Sequence, residues 1–553
     1  MPEIKELLRQ GRYEDAWQMC CGFIDLSLEQ FMAIQKRLLL EQLELLKSCE
    51  LGRKVMRGAL PETIEEFRAQ VPLTTYADYC PELLERREDV LPARPARWVR
   101  TSGKTGEYPA KWAPMSEDFC HELERVCGSM ILLSIRNRHD NFPQLNKRLK
   151  GLFALGPVDY GSGVLGYYAQ QAIGFEFLPS HMTDEMAFDE IIKAGFEEAL
   201  SRGMDGFGGL SSVLVAVGDQ FNRQLGKLNL RFLLSHPRAL SRLARGLIKS
   251  KLAHRPLLPK DLWSMKAIVG GGTDSAVFRK KVGELWGKYP LEIYAGTEGG
   301  LYATQTSDYD TGMTFIPTLN FFEFIPEREY AKWQLDHSYQ PKTILLDEAK
   351  AGEVYEIVIT NLHGGVMTRY RPGDMVRITS LRNDRLNINL PQMVFERRAD
   401  DLIDITGFGK LTEKIIWQAI ENTGIPYADW TARKETVDNK PMLHVYLELK
   451  DNYIANADDV AAAVYEQLVK LDEEYHYNIY RPYGDPEAVL GTKPVEVSLL
   501  PQGVFASYLA RRQAEGAPLG HLKPQHINPS DKVLALLGAK EEAVPVERIA
   551  VNA

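Results

Sequence analysis

Cysteine is scarce in this chain of 553 residues: the six present (Cys20, Cys21, Cys49, Cys80, Cys120 and Cys127) lie in the first quarter, without C-x-x-C pairs or histidines at zinc-finger spacing. A disulfide framework and a structural zinc site are therefore excluded on spacing, and free, mostly buried thiols are expected. Long apolar runs are missing as well. The longest candidates, such as Met130 to Leu133, fall far short of the roughly 18–20 residues that cross a bilayer, which excludes an integral membrane protein. The opening Met1-Pro2-Glu3-Ile4-Lys5-Glu6 has no apolar h-region, and Val551-Asn552-Ala553 carries no lipidation box, so a cytoplasmic location is expected. A net charge of −9 argues against nucleic acid as the main partner, because phosphate-backbone binders carry a positive excess. Internal repeats and low-complexity tracts are absent too.

What is present is ordinary globular material, 44% hydrophobic and 25% charged, enough to offset chain entropy in several cores. At about 150 residues per domain the length implies roughly two to four units. One segment departs from the acidic average. Between Asp219 and Asp261 there is no acid, while Arg223, Lys227, Arg231, Arg238, Arg242, Arg245, Lys249, Lys251, Arg255 and Lys260 gather among Leu and Ala at helical spacing. Solvated surface helices would look like this, and so would a peripheral contact with a membrane surface or another anionic partner.

Three textures follow one another. Residues 1–50 read as helices, with Leu38, Leu39, Leu40, Leu43, Leu45 and Leu46 as a broad apolar stripe. From about Leu91, short apolar runs bounded by Gly and Pro (Ala96 to Thr101, Gly151 to Leu155, Ala267 to Val269, Glu292 to Tyr294, Phe321 to Ile325) alternate with helical stretches such as Glu185 to Leu200 and Ser275 to Trp286. That order predicts an α/β domain with mixed sheets flanked by helices. From Gly352 the period-two run Gly352 to Ile359 reads as a half-exposed antiparallel strand turning at Pro372-Gly373-Asp374. Beyond Arg398-Ala399-Asp400-Asp401, the strand–helix–strand–helix–strand order Leu402 to Ile405, Leu411 to Asn422, Met442 to Leu449, Ala457 to Leu471 and Val495 to Leu500 predicts a smaller α+β unit. The expected domains are 1–398 and 399–553.

Four loops and one charged run carry candidate chemistry. In Thr101-Ser102-Gly103-Lys104-Thr105-Gly106, glycines allow backbone N–H groups to approach an anion, hydroxyls donate to phosphate oxygens and the ammonium adds charge; a plain hairpin turn has the same composition. A Walker A loop is excluded, because Trp98 stands where its first glycine belongs and Pro109 interrupts the helix it requires. Gly270-Gly271-Gly272-Thr273 and Tyr294-Ala295-Gly296-Thr297-Glu298-Gly299 each close a strand, the position where α/β proteins hold ligands. A tyrosine can cover an adenine, a threonine can reach a phosphate and a glutamate can hold Mg²⁺; two ordinary β-to-α turns are the alternative. In Arg369-Tyr370-Arg371-Pro372-Gly373-Asp374 the carboxylate can accept both vicinal hydroxyls of a ribose, or simply close a turn. The run from Arg397 to Asp401 suits either a charged linker or a ribose and phosphate contact.

Taken in order, these motifs resemble the core motifs of the adenylate-forming superfamily, and within it the GH3 acyl acid amido synthetases. Further phrases of the same family are Phe67-Arg68-Ala69-Gln70-Val71-Pro72-Leu73-Thr74-Thr75-Tyr76, Leu262-Trp263 and Pro494-Val495-Glu496-Val497, so the resemblance covers nearly the whole chain. It implies a large N-terminal adenylate-forming domain with a mobile C-terminal domain, ATP and Mg²⁺ as cofactors, and two half-reactions. A carboxylic acid and ATP give an acyl-adenylate and pyrophosphate, then an amine, usually of an amino acid, displaces AMP. Residue by residue, the resemblance places Thr101 and the loop Ser102, Gly103, Lys104, Thr105 and Gly106 over the β- and γ-phosphates, and Gly271, Gly272 and Thr273 at the adenine edge. Tyr294 becomes the adenine platform with Gly296 beside it, Thr297 the α-phosphate donor and Glu298 the metal ligand. Asp374 takes the ribose, Arg398 assists near the hinge, and Lys410 and Lys523 are the catalytic lysines of the small domain. The chain departs from the family pattern at Lys104, where a Ser or Thr is usual, and by two extra residues before Lys111. An acyl-CoA ligase using the same adenylate, and a non-catalytic acyl or nucleotide binding module, are the competing readings.

Overall fold

The structure is a computed structural model that describes residues 3–101, 110–136, 148–154, 156–180, 186, 188–225, 235–271, 275–306, 312–399, 402–405, 409–437, 440–450, 453–475, 494–514 and 526–539. The chain forms two compact units, one holding the described residues through Ala399 and the other those from Leu402 on. No described helix is long and apolar enough to cross a membrane.

The first unit opens its sheet structure with a hairpin of β1 (Pro95–Arg100) and β2 (Trp112–Ser116). An 11-stranded sheet follows. Its first half comprises β3 (Lys150–Ala154), β4 (Glu176–Leu178), β5 (Gly206–Leu210), β6 (Ala267–Gly271) and β7 (Leu291–Gly296), all parallel in the order β4-β3-β5-β6-β7. Parallel neighbours need crossovers, and helices Gly161–Ile173, Phe188–Arg202 and Ser275–Trp286 supply three of them. This is the doubly wound 2-1-3-4-5 order, whose ligand crevice lies at the carboxyl ends of the strands. The second half, β8 (Gly300–Gln305), β9 (Met313–Phe315), β10 (Asn320–Pro326), β11 (Val354–Asn361), β12 (Asp374–Ser380) and β13 (Gln392–Arg398), is antiparallel and ordered β8-β9-β13-β12-β11-β10. The α/β class with mixed strand directions is thus as expected.

Two expectations need correction. The strand β11 is buried along seven of its eight residues rather than half-exposed. Helix Glu327–Leu335 packs on β10 and β11, and the charge of Glu356, which period-two patterning sends to solvent, is met by Arg371 through bonds of 2.9 and 2.7 Å. In helix Leu28–Ser48, Leu38, Leu39, Leu43 and Leu46 are buried, but Leu40 and Leu45 are each 39% exposed. Their places on the buried stripe are taken by Gln35 and Gln42. Gln35 donates to the carbonyls of Pro317 and Asn320 and accepts from Phe322 N–H, while Gln42 bonds Gly365 O and Gly364 N–H. Of the cysteines, five are buried, Cys80 is half-buried, and all six are free; burial pushes the Cys20 thiol up to about 12.

The second unit contains the hairpin β14 (Leu402–Ile405) and β15 (Gly409–Thr412), and a three-stranded sheet β16 (Tyr427–Val437), β17 (Lys440–Leu449) and β18 (Val495–Leu500). β16 and β17 are antiparallel, whereas β17 and β18 are parallel, with helix Ala457–Tyr475 between them in the chain. Residues 526–528 run parallel beside β16: Ala432 N–H donates to His526 O at 2.7 Å and Asn528 N–H to Ala432 O at 2.8 Å.

Candidate functional site

The site is built at the seam between the two halves of the sheet. β7 and β8 form a hairpin with Gly296 paired to Gly300, so Thr297, Glu298 and Gly299 are its turn. This differs from the β-to-α turn that the sequence allowed: the chain reverses directly because Gly300 takes φ +70°. Two asparagines, at the start of β10 and the end of β11, clamp the turn. Asn361 donates to Glu298 O at 3.0 Å and to Asn320 Oδ1 at 2.9 Å, and Asn320 donates to Gly299 O at 2.7 Å. A Cβ on Gly299 would meet Tyr302 at 2.4 Å and Asn320 at 2.8 Å, so the tight packing itself demands glycine there.

The Glu298 carboxylate is aimed by Tyr370, whose hydroxyl donates to Oε1 at 3.1 Å. Tyr370 is 1% exposed, and burial together with Glu298 holds its phenol well above the ordinary tyrosine value. Its ring meets Tyr79 edge-on at 6.1 Å. Thr74 bridges Tyr370 in parallel, with Thr74 N–H donating to Arg369 O and Arg371 N–H to Thr74 O. The family phrase ending at Tyr76 therefore has a structural role, which is to wall in Tyr370. Arg369, with φ 46°, turns the chain there and is held by Glu323 at 2.9 and 3.0 Å. Among the described residues the second Glu298 oxygen accepts no hydrogen bond.

Asp374 starts β12 opposite Arg398 at the end of β13, so strand register makes their ion pair: Arg398 donates to Oδ1 at 2.7 Å. Tyr294 donates to the other oxygen at 2.8 Å. Its ring is 6% exposed and packed near Tyr302 and Phe395, and burial is the first cause, with Asp374 next, that keeps its phenol protonated far beyond the usual range.

The anion-loop candidate is approached from the other side. Thr101 N–H donates to Lys111 O and Lys111 N–H to Thr101 Oγ1, closing the base of the β1–β2 hairpin. Lys111 lies over the Tyr76 ring at 5.6 Å. Arg100 binds Asp159 through both backbone and side chain, at 2.7 Å each, and bridges Tyr160. The next residue, Gly161, borders the β7–β8 turn: a Cβ there would sit 2.8 Å from Thr297 Oγ1. Gly271 ends β6, within 3.8 Å of Ile293 of β7 if given a Cβ. A Cβ on Gly296 would be 2.5 Å from the Tyr302 hydroxyl, which is buried and has no hydrogen-bond partner among the described residues.

Thr101, Tyr294, Gly296, Thr297, Glu298, Asp374 and Arg398 thus belong to one connected set in the first unit, with Gly271 on the adjoining strand. Ser102, Gly103, Lys104, Thr105, Gly106, Gly272, Thr273 and Lys523 lie outside the described residues, and for Lys410 only the backbone, opposite Asp404 in the β14–β15 hairpin, is described. Sequence reasoning missed Asn320, Asn361 and Ser211. Ser211 follows β5, is 1% exposed, and its hydroxyl has no partner among the described residues. None of the three has a local motif. Tyr370, by contrast, was visible four positions before Asp374.

No group of three or more His, Cys, Asp or Glu that could hold a metal occurs among the described residues. A lone carboxylate with one oxygen fixed and one open suits Mg²⁺, which binds through one or two carboxylates and completes its shell with phosphates and water.

A doubly wound parallel half joined to an antiparallel half, with a separate α+β unit, is the fold of adenylate-forming enzymes. The structure of a 2-hydroxyisobutyryl-CoA ligase in complex with 2-HIB-AMP and CoA matches it with a TM-score of 0.54, at 13% identity, over 86% of this chain and 87% of that one. Two segments of the chain match descriptions of one family: the GH3 family N-terminal domain matches residues 20–181 and the GH3 family central domain residues 313–398. The chain is 27% identical to the 4-substituted benzoates-glutamate ligase GH3.12 of Arabidopsis thaliana over 41% of this chain and 38% of that enzyme. It is also 24% identical to the probable indole-3-acetic acid-amido synthetase GH3.2 of Oryza sativa subsp. japonica, over 94% of this chain and 92% of that protein.

Proposed function

We propose that this chain is an ATP-dependent ligase that activates a carboxylic acid as its acyl-adenylate and transfers the acyl group to the amine of an amino acid. The observation that carries the reading is the connected set at the β7–β8 turn: Arg398 and Tyr294 holding Asp374 on one side, Tyr370 holding Glu298 on the other. A carboxylate is a poor electrophile, so the first step depends on holding it in line with the α-phosphorus and on offsetting charge at the leaving group. Asp374 accepts the ribose hydroxyls, and Arg398 orients it. Thr297 donates to the α-phosphate in the space that Gly161 leaves open. Tyr294, buried as it is, presents a ring edge to the adenine and fixes Asp374, with Gly271 to Thr273 along the adenine edge. Glu298 holds Mg²⁺, which when bound draws off charge from the departing pyrophosphate.

The loop from Ser102 to Gly106 covers the β- and γ-phosphates, with the Lys104 ammonium in place of a hydroxyl. Lys410 and Lys523 act from the unit beyond Leu402, which turns between the adenylation and transfer steps. Free thiols in the core support a cytoplasmic setting. The relatives named as amido synthetases favour an amine over the thiol of coenzyme A as acceptor.

The test is exchange of labelled pyrophosphate into ATP across a panel of aryl, indolyl and fatty acids, followed by mass analysis of products formed with amino acids or coenzyme A. Acid-dependent exchange and an amide product are expected. Thioester formation alone would move the acceptor to coenzyme A, and a protein that neither exchanges pyrophosphate nor binds nucleotide would end the proposal.

A further inference from the structure

The helix Pro237–Leu252 lies within the segment that lacks acids, and its packing is the reverse of what an amphipathic surface helix shows. Its buried stripe is Ala239, Leu243, Gly246 and Ser250, mostly small residues. They allow close approach to the body of the first unit: a Cβ on Gly246 would stand 2.5 Å from Leu262 and 3.1 Å from Leu257. The bulky aliphatic residues point outward. Leu240 is 47% exposed, Leu247 48%, Ile248 59% and Leu252 77%. A merely solvated face does not account for four such side chains on one helix of about 24 Å.

At about 100° per residue, Leu240, Ala244, Leu247, Ile248 and Leu252 share an exposed sector of roughly 140°, and Arg238, Arg245 and Lys249 fill the adjoining sector of roughly 40°. Lys251 falls inside the apolar sector, where its long stem can lie along the aliphatic surface with the ammonium at the rim. Two nearby cations are already committed to the fold. Arg242 donates to the carbonyls of Ala199 and Leu200, and Arg255 grips Asp261 with two bonds of 2.7 Å. Arg238, Arg245, Lys249 and Lys251, however, meet no carboxylate among the described residues.

We propose that this helix is a docking surface for an anionic phospholipid bilayer, lying in the interface with Leu247, Ile248 and Leu252 among the acyl chains and the basic sector against the headgroups. The pairing of an aliphatic stripe with a basic border and no acid is complementary to such a surface. A second copy of the chain fits poorly, because a two-fold contact would set the same cations face to face. Nucleic acid would leave the aliphatic sector without a partner.

The experiment is co-sedimentation of the full-length protein with phosphatidylcholine vesicles and with phosphatidylcholine vesicles containing phosphatidylserine, at low and high salt. Binding is expected only to the anionic vesicles, weakened by salt. It should fall about tenfold or more both in the I248Q/L252Q variant and in the R245Q/K249Q variant. All four positions are exposed, and thermal melting of each variant should match that of the parent. Absence of binding, equal binding to neutral vesicles, or unchanged binding in either variant would overturn the proposal. So would a dimer seen in sedimentation velocity and lost on Ile248→Gln, or stable capture of a purified acidic protein on this face in place of vesicles.

Discussion

Glu298 owes its direction to a hydroxyl from another part of the chain, and that dependence can be measured. Tyr370→Phe leaves the ring in its pocket beside Tyr79 and removes only the bond to Glu298 Oε1. Partners that orient a metal ligand are typically worth tenfold or more in metal affinity. The Mg²⁺ concentration giving half-maximal pyrophosphate exchange should therefore rise about tenfold, and Mn²⁺ binding in the presence of ATP, read by electron paramagnetic resonance, should weaken in parallel. Thermal stability should change by only about 1 kcal/mol. An unaltered Mg²⁺ dependence would reduce Tyr370 to a packing residue. At this scale the sequence was informative where residues lie close in the chain. Thr297 and Glu298 could be read together, and so could Tyr370 and Asp374. It was silent on Asn361 and Asn320, because their partners on the β7–β8 turn lie 63 and 21 positions away.

Elements are held by polar pins as much as by apolar faces. Gln35 joins helix Leu28–Ser48 to the carbonyls of Pro317 and Asn320 and to Phe322 N–H. Gln35→Ala strands buried backbone groups and should cost on the order of 2–4 kcal/mol in urea unfolding of the first unit. A cost below 1 kcal/mol would mean that water replaces the amide.

In the second unit His526 ties residues 526–528 to the sheet. It lies between Asp429 at 3.0 Å and Glu413 at 2.7 Å, stacked on Trp430. The bond to Asp429, against burial and with help from Glu413, raises it above the ordinary histidine value. The folded unit therefore keeps a proton that the unfolded chain has given up. The stabilisation is complete below the ordinary histidine value and is lost as pH climbs through the folded value. Melting followed by circular dichroism should show the second unit weakening over that window, and His526→Gln should flatten the dependence. Periodicity located β14, β17 and β18 and the helices around them. It missed β16, whose run Tyr427 to Val437 mixes charged and apolar residues because its carboxylates and cations satisfy one another, as Arg433 does with Glu435. It likewise read β11 as half-exposed, because the sequence does not show that Arg371 would bury Glu356.

For the whole molecule, the order of strand and helix patterns beyond Arg398 to Asp401 is what led the sequence to suggest a smaller α+β unit after an α/β body. The doubly wound order was less legible. Strand order depends on which crossover passes which face, and the parallel strands here are short and rich in glycine, as in Gly206-Phe207-Gly208-Gly209-Leu210. The reversed polarity of helix Pro237–Leu252 was hidden for a similar reason: periodicity detects a face but does not say which face the core takes.

The glutamine pins have a further consequence during synthesis. Gln42 closes on residue 365, some 323 positions later, so the N-terminal helix leaves the ribosome long before its resting place has been made. At about 5–20 residues per second that interval lasts roughly 15–65 s. Throughout it, Phe31, Leu39, Leu43 and Leu46 must be shielded by a chaperone or by provisional collapse, and a chain truncated before the central strands would be a natural substrate for degradation.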